Sequence, residues 1–269
     1  MTHPDTILLL AAHGSAHPGA RQALEAFAAR MAGRFPALAV TLAYTRFRHL
    51  GNPPGQEGAL AGVLEALKRR PGTARLAVQS LHVIAGDEYE RLDTAARDFA
   101  RETGIAVAVG GPLLGGARDA ARVARAVRRA AGTLPPDTAA VWMGHGTTHE
   151  AQDLYRLLAR ELDAHAPGSS PNSPLIRLGV LEAADAAGPL NVRAIATDLR
   201  ARGVKRVKLL PLLTVAGRHA HKDLAGNKPE AWKSVLEAHG LTCEADLAGL
   251  VERGEFEALW GERAADMLG

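Results

Sequence analysis

Two short segments set a histidine before a glycine directly after an apolar run: Ala12-His13-Gly14-Ser15-Ala16-His17 and Gly144-His145-Gly146-Thr147-Thr148-His149. Glycine beside an imidazole leaves the backbone bare, so a ligand can approach closely. A single such dipeptide also suits an ordinary strand-to-helix turn, but the two copies lie 132 residues apart and each is followed by hydroxyl or small residues. A third segment, Val215-Ala216-Gly217-Arg218-His219-Ala220-His221-Lys222-Asp223, holds two histidines two positions apart. In a helix or a strand such a pair cannot easily grip one ion together. His219 is the candidate ligand, because it aligns with Glu88 of the first half, and His221 is the solvated one. Glu182 ends the apolar run 176–181, where a carboxylate is either a surface residue or a ligand at a strand tip. Two imidazoles and one carboxylate form a borderline N/O donor set suited to divalent Co, Ni, Fe or Zn. Three protein donors leave coordination positions open, which an ion in transit requires. Histidine also exchanges protons near neutral pH, so His145 has a second use as a base.

These residues need a scaffold that brings distant loops together. Short apolar runs alternate with amphipathic stretches, the pattern of βαβ units around parallel sheets. Strands are expected at 6–12, 39–44, 75–80, 106–109, 139–143, 176–181, 205–210 and 241–244. Helices are expected at 20–34, 57–70, 88–103, 117–131, 149–164, 190–202, 229–239 and 247–267. The His-Gly copies are not the only repeat. Val83-Ile84-Ala85-Gly86-Asp87-Glu88 resembles the run Leu213-Thr214-Val215-Ala216-Gly217-Arg218-His219 at an offset of 131. That period is far too long for a solenoid and points to two similar α/β halves. The domains are therefore expected at residues 1–134 and 135–269, the second carrying the metal ligands. In parallel sheets ligands bind beyond the carboxyl ends of the strands, where all of these residues fall.

Composition narrows the alternatives. The chain has 269 residues, 47% of them hydrophobic, and 32 basic against 29 acidic residues for a net charge of +3. No basic run with interleaved aromatics marks a nucleic-acid surface. Cys243 is the only cysteine, which excludes an intramolecular disulfide, a CxxC pair and an all-cysteine metal site. No apolar stretch approaches the roughly 18 residues of a membrane span, and the N-terminal residues lack a secretory signal pattern, so a cytoplasmic protein is expected.

On four blocks the chain resembles the anaerobic-type cobaltochelatases that act on sirohydrochlorin. They are Leu10-Ala11-Ala12-His13-Gly14, then Gln79-Ser80-Leu81-His82-Val83-Ile84 with Gly86 and Glu88-Tyr89, then the segment from Gly144 to His149, and Leu210-Pro211-Leu212-Leu213-Thr214-Val215-Ala216-Gly217-Arg218-His219-Ala220. The resemblance runs along almost the whole chain. It implies a bilobal chelatase fold of two Rossmann-like lobes with the tetrapyrrole held between them. It also implies metal ligation by His145, Glu182 and His219, and insertion of Co²⁺ into sirohydrochlorin on the route to cobalamin. Fe²⁺, for sirohaem, and Ni²⁺ are further metals such a site accepts. Two departures from the family pattern stand out. Glu182 is followed by Ala183 rather than glycine, with Gly188-Pro189 later, so Asp185 is an alternative ligand. Arg218 stands where aspartate is common, adding positive charge near the site.

Within that reading Glu88, the counterpart of His219, is a second proton acceptor. His13 and Ser80 face the substrate, and Arg46, Arg48 and Arg218 pair with its carboxylates, a geometry that guanidinium forks match. No Gly-x-x-x-x-Gly-Lys-Ser/Thr loop occurs, so no nucleotide is expected. A protein that only binds or carries a metal or tetrapyrrole is the main rival. Histidine phosphoryl transfer is disfavoured because Ala12 and Gly144 stand where arginine normally precedes the motif. A dinucleotide oxidoreductase is disfavoured because no Gly-x-Gly-x-x-Gly follows a strand. A homo-oligomer is left open.

Overall fold

The computed structural model describes residues 6–46, 58–164, 175–182 and 188–269. Strands and helices alternate in the order β1 (Thr6–Ala12), α1 (Pro18–Arg34), β2 (Ala39–Tyr44), α2 (Leu60–Lys68), β3 (Arg75–Ser80), α3 (Asp87–Thr103), β4 (Ala106–Gly110) and α4 (Ala117–Ala131). The pattern then repeats as β5 (Thr138–Gly144), α5 (Gln152–Ala164), β6 (Leu175–Val180), α6 (Val192–Ala201), β7 (Arg206–Pro211), α7 (Trp232–Ala238), β8 (Thr242–Ala245) and α8 (Gly254–Leu268). Two four-stranded sheets result, ordered β2-β1-β3-β4 and β6-β5-β7-β8, with every pairing parallel. The expected α/β class with two similar halves is what forms.

The central strands of each sheet are apolar nearly throughout because helices cover both faces of a parallel sheet. Ile7 through Ala12 of β1 and Ala139 through Met143 of β5 are buried without alternation. On one face of the first sheet Ile7, Leu9, Ala11, Leu76 and Val78 pack with Leu92, Ala96 and Phe99 of α3. On the matching face of the second sheet Ala139, Val141 and Met143 pack with Ile195 and Leu199 of α6 and with Trp232 and Leu236 of α7. Helix ends carry ordinary signals. Asp87, Glu88 and Glu90 occupy the first turn of α3, where the helix dipole favours acids, and Gly104 closes it in a left-handed conformation. The side chain of Asn191 accepts the Arg193 N–H at 2.9 Å to cap α6.

The duplication extends into the loops past the strand ends. In the first half the N–H of Thr45 donates to the Ala12 carbonyl (2.9 Å) and that of Arg46 to His13 (3.1 Å). In the second half Leu181 donates to Gly144 (3.0 Å) and Glu182 to His145 (2.8 Å). The next strand repeats the match, Leu81 donating to Ala11 and Leu212 to Met143, both at 2.8 Å. A third clasp pairs Leu113 with His82 and Leu114 with Val83, and correspondingly Leu250 with Leu213 and Val251 with Thr214. The two halves thus build the same set of loop anchors and differ in the side chains placed on them.

The bounds of the final helix need adjustment. The final helix does not cover 247–267: it begins at Gly254, after a single 3-10 turn at Leu250–Glu252. The reason is the clasp just described, which draws Leu250 and Val251 alongside residues 213–214. Gly249 meanwhile lies so close to Val215 that an added Cβ would sit 2.5 Å from its Cα. The chain also groups into compact units of residues 1–114 with 256–269 and residues 115–255, so α4 belongs to the second unit and α8 to the first. In the first unit Trp260 of α8 meets Phe27 edge-on at 5.6 Å, and Arg263 donates to the carbonyls of Gly111 and Leu113 at 3.1 and 3.0 Å. In the second, Arg128 of α4 donates to the Glu161 and Leu162 carbonyls near the end of α5.

Candidate metal centre

Within the second unit, His145 follows β5 and Glu182 lies two residues beyond β6. The neighbouring strand ends are drawn together by the pair of backbone bonds from Leu181 and Glu182 to Gly144 and His145. Two glycines make this approach feasible. Gly144 is covered by Tyr155 of α5, whose ring would stand 2.5 Å from an added Cβ. The Tyr155 phenol is fully buried and accepts backbone hydrogen bonds from His145 and Gly146. Burial pushes it up to about 12, and those amide donors only partly offset the rise. Gly146 adopts φ +80°, and its Cβ would fall 2.1 Å from the Glu182 carbonyl oxygen. Thr147 accepts the His149 N–H at 3.0 Å, so it caps a turn, and α5 starts at Gln152 rather than at His149.

The third residue arrives on the loop after β7. Leu212 anchors that loop to Met143, and the clasp from Leu250 and Val251 holds its middle. At its end the chain enters a π-helical turn, Ala220–Leu224, with His219 as the residue before it. Ala220 and Leu224 are buried, which presses the turn onto the core and leaves His219 on the outer side.

The result is a pair of facing imidazoles with a carboxylate beside one of them. The rings of His145 and His219 lie 4.7 Å apart between centroids in an edge-to-face arrangement of 89°. Nδ1 of His145 is 3.8 Å from a Glu182 carboxylate oxygen. The side chains are 43% exposed for His145, 29% for His219 and 58% for Glu182, so the cluster is open to an incoming ion. The hydrogen bonds decide the tautomers. His145 Nδ1 stands 3.0 Å from the Gly146 carbonyl, which can only accept, so Nδ1 carries a proton and in the neutral ring Nε2 is the free donor. His219 Nδ1 stands 2.7 Å from an Asp223 carboxylate oxygen, with the same consequence. Each ring therefore offers Nε2 as a donor. His221, the alternative to His219, is exposed. Arg218 is exposed on the same loop. Asp185 and Arg48 lie outside the described residues.

The corresponding strand ends of the first unit carry different chemistry. Arg46 occupies the backbone position that Glu182 holds in the second unit, a cation in place of an anion. Its guanidinium is 3.9 Å from Oε1 of Glu88, which Arg91 also reaches at 3.3 Å, while Oε2 of Glu88 is buried and unpartnered. His13 is half-buried at the end of β1. Ser80, expected among the substrate contacts, is fully buried, and its hydroxyl lies 2.9 Å from Nδ1 of His82.

His82 itself was not singled out by the sequence. It is buried, with Thr45 3.1 Å from Nε2 and Ser80 on the other nitrogen, so the imidazole ties β3 to the loop after β2. Burial, with the nearby His13 adding repulsion, pushes His82 down to about 3. A depressed histidine stabilises the fold fully above its unfolded value near 6.5, and that contribution is lost as pH falls. Between pH 7 and pH 5 urea unfolding should therefore lose about 2 kcal/mol attributable to this group. His82→Gln, which does not titrate, should lose that much less over the same interval. Equal losses in both proteins would show that His82 is charged in the fold.

A family model described as cobalt chelatase (CbiK) matches residues 6–268. The sirohydrochlorin cobaltochelatase CbiKC of Nitratidesulfovibrio vulgaris is 38% identical over 263 residues, covering 94% of this chain and 87% of that protein. The sirohydrochlorin cobaltochelatase of Salmonella typhimurium is 31% identical over 199 residues, covering 73% and 70% respectively. Among solved structures, SirB from Bacillus subtilis with Fe³⁺ superposes with a TM-score of 0.66 at 16% identity, covering 98% of this chain and 95% of that one, a likeness of fold.

Proposed function

We infer the reaction from family and site together: this chain belongs to the cobalt chelatase (CbiK) family, and it inserts Co²⁺ into a sirohydrochlorin-type tetrapyrrole. The observation that carries the site assignment is the pair of imidazoles at 4.7 Å with a carboxylate 3.8 Å from one of them, all on loops that follow strands of one unit. The metal is a substrate here and must be held loosely enough to leave. His145, His219 and Glu182 carry three donor groups of the borderline kind that cobalt accepts, and in this reading their side chains turn onto one ion when it arrives. The remaining positions stay with water until the ring nitrogens replace it. Fe²⁺ and Ni²⁺ suit the same donors, so the set by itself favours none of them strongly.

Insertion exchanges one divalent ion for the two protons on the pyrrolic nitrogens, so the ring gains a metal and releases two H⁺. Once the ion has moved, a freed imidazole of His145 is a suitable acceptor for one of them near neutral pH. Glu88, with one carboxylate oxygen unpartnered, is the second acceptor in this reading. Arg46, placed where the second unit has Glu182, suits a substrate carboxylate. None of these steps consumes a nucleotide.

Purified protein given Co²⁺ and sirohydrochlorin without nucleotide should convert the free-ring absorption spectrum to that of the cobalt complex over many turnovers. A single turnover followed by stable retention of the product would instead identify a carrier. No conversion at all would reject the reaction. Among the described residues no helix is long and apolar enough to cross a membrane.

A further inference from the structure

The two imidazoles of the cluster are held by acceptors of different kinds. His145 donates its Nδ1–H to the neutral carbonyl of Gly146, whereas His219 donates to the carboxylate of Asp223 at 2.7 Å. Asp223 lies four residues after His219, across the π-helical turn Ala220–Leu224. The turn is fixed from beneath. Leu224 belongs to the core of the second sheet, Ala220 is fully buried, and the N–H of Ala225 closes the turn onto the Ala220 carbonyl at 3.1 Å. Beyond it, Gly226 passes so near Lys222 that an added Cβ would lie 2.1 Å from the Lys222 carbonyl oxygen. Asp223 is thus placed by the backbone, not by chance rotation of a surface side chain, and it is only 36% exposed.

Resting on the assignment of His219 as a metal ligand, we propose that Asp223 is a positioning residue for cobalt capture, one that fixes the ring of His219 with Nε2 toward the ion and strengthens it as a donor. A carboxylate behind a ligating histidine locks its tautomer and rotation and raises its basicity, and loss of such a partner costs 10–100-fold in metal affinity as a rule. The effect falls on capture, since Asp223 acts through His219 and stays bonded to it whether or not the ring has received the metal. His219 is accordingly the firmer of the two histidine donors.

The test is a set of single substitutions in the full chain, assayed with Co²⁺ and sirohydrochlorin. Asp223→Ala should raise KM for Co²⁺ by about 10–100-fold while kcat at saturating metal stays within about threefold of wild type. The visible d–d bands of the Co²⁺ complex formed without tetrapyrrole should shift, because the imidazole is no longer held in one orientation. Asp223→Asn, whose amide oxygen still accepts from Nδ1–H, should recover much of the lost KM. An unchanged KM and unchanged d–d bands in Asp223→Ala would overturn the proposal. So would a parallel fall of kcat and thermal midpoint that Asp223→Asn does not relieve, which would mark a merely structural residue. His219→Ala separates this from the assignment beneath it. If His219→Ala weakens Co²⁺ and Asp223→Ala does not, only the role of Asp223 falls. If neither does, the metal assignment falls with it.

Discussion

His145→Ala should lower kcat/KM for cobalt insertion at least 100-fold while leaving the fold nearly as stable as before. The activity estimate follows from what an outer partner of a ligand is worth, 10–100-fold, since the ligand itself cannot be worth less. With the imidazole gone, His219 and Glu182 remain as two donors on different loops, and two donors leave the ion mostly to water. The loss should appear both in KM for Co²⁺ and in kcat if His145 serves, as proposed, capture and then proton acceptance. The stability estimate follows from where the contacts of His145 lie. Its backbone carbonyl receives the Glu182 N–H, its N–H serves Tyr155, and neither depends on the side chain. The ring is 43% exposed and contributes mainly its bond to Gly146 and its edge-on contact with His219. Surface substitutions of this kind usually change stability by no more than about 0.5 kcal/mol. Steady-state insertion assays beside thermal unfolding would read both quantities. Activity close to wild type in a folded His145→Ala protein would remove His145 from the metal site and leave the reaction to other residues.

The sheet strands were legible because burial on both faces writes them as unbroken apolar runs. The observed β1, β2 and β3 have the expected bounds, and the other five lie within one residue of expectation at each end. The repeat was legible too, since His13 and His145 must each follow a strand with glycine next. Less visible was anything set by contact between distant segments. The run 247–267 looks uniformly helical, yet Gly249 must slide against Val215, and that contact is made by a loop some thirty residues earlier. Membership of α4 and α8 likewise follows from what they pack on, not from which strand they trail. Asp223 had a signal that was passed over. His219 and Asp223 are spaced four apart, the spacing at which side chains meet on a helical turn, although the two histidines two apart are the more conspicuous feature of the segment. The role of His82 was hidden in the sequence, because the hydroxyls of Ser80 and Thr45 that satisfy it come from two different strand ends.

Gly146→Ala should cost more than a methyl group ordinarily would, and should abolish insertion as well as weaken the fold. Two penalties combine at this position. The backbone sits at φ +80°, where an L side chain is strained by roughly 1–3 kcal/mol. The new Cβ would also lie 2.1 Å from the Glu182 carbonyl oxygen, 2.9 Å from its carbon and 3.0 Å from its nitrogen, all backbone atoms with no rotamer to yield. Relief requires the ends of β5 and β6 to part, which stretches the bond from Glu182 to His145 and carries both ligands away from each other. Overpacking of that kind costs typically 1–3 kcal/mol, so a total of about 3 kcal/mol or more is expected in urea unfolding. Gly104→Ala supplies the comparison. Gly104 has φ +71° but nothing within 4 Å of a built Cβ, so it bears the conformational strain alone. It should lose only about 1–2 kcal/mol and keep insertion activity, because no assigned ligand touches it. Gly146→Ala should fall below about one hundredth of wild-type activity even at temperatures where it is folded, since displacing His145 and Glu182 together is at least as damaging as removing one ligand. Equal behaviour of the two variants would mean that the close approach of the two strand ends is not what holds His145 and Glu182 side by side.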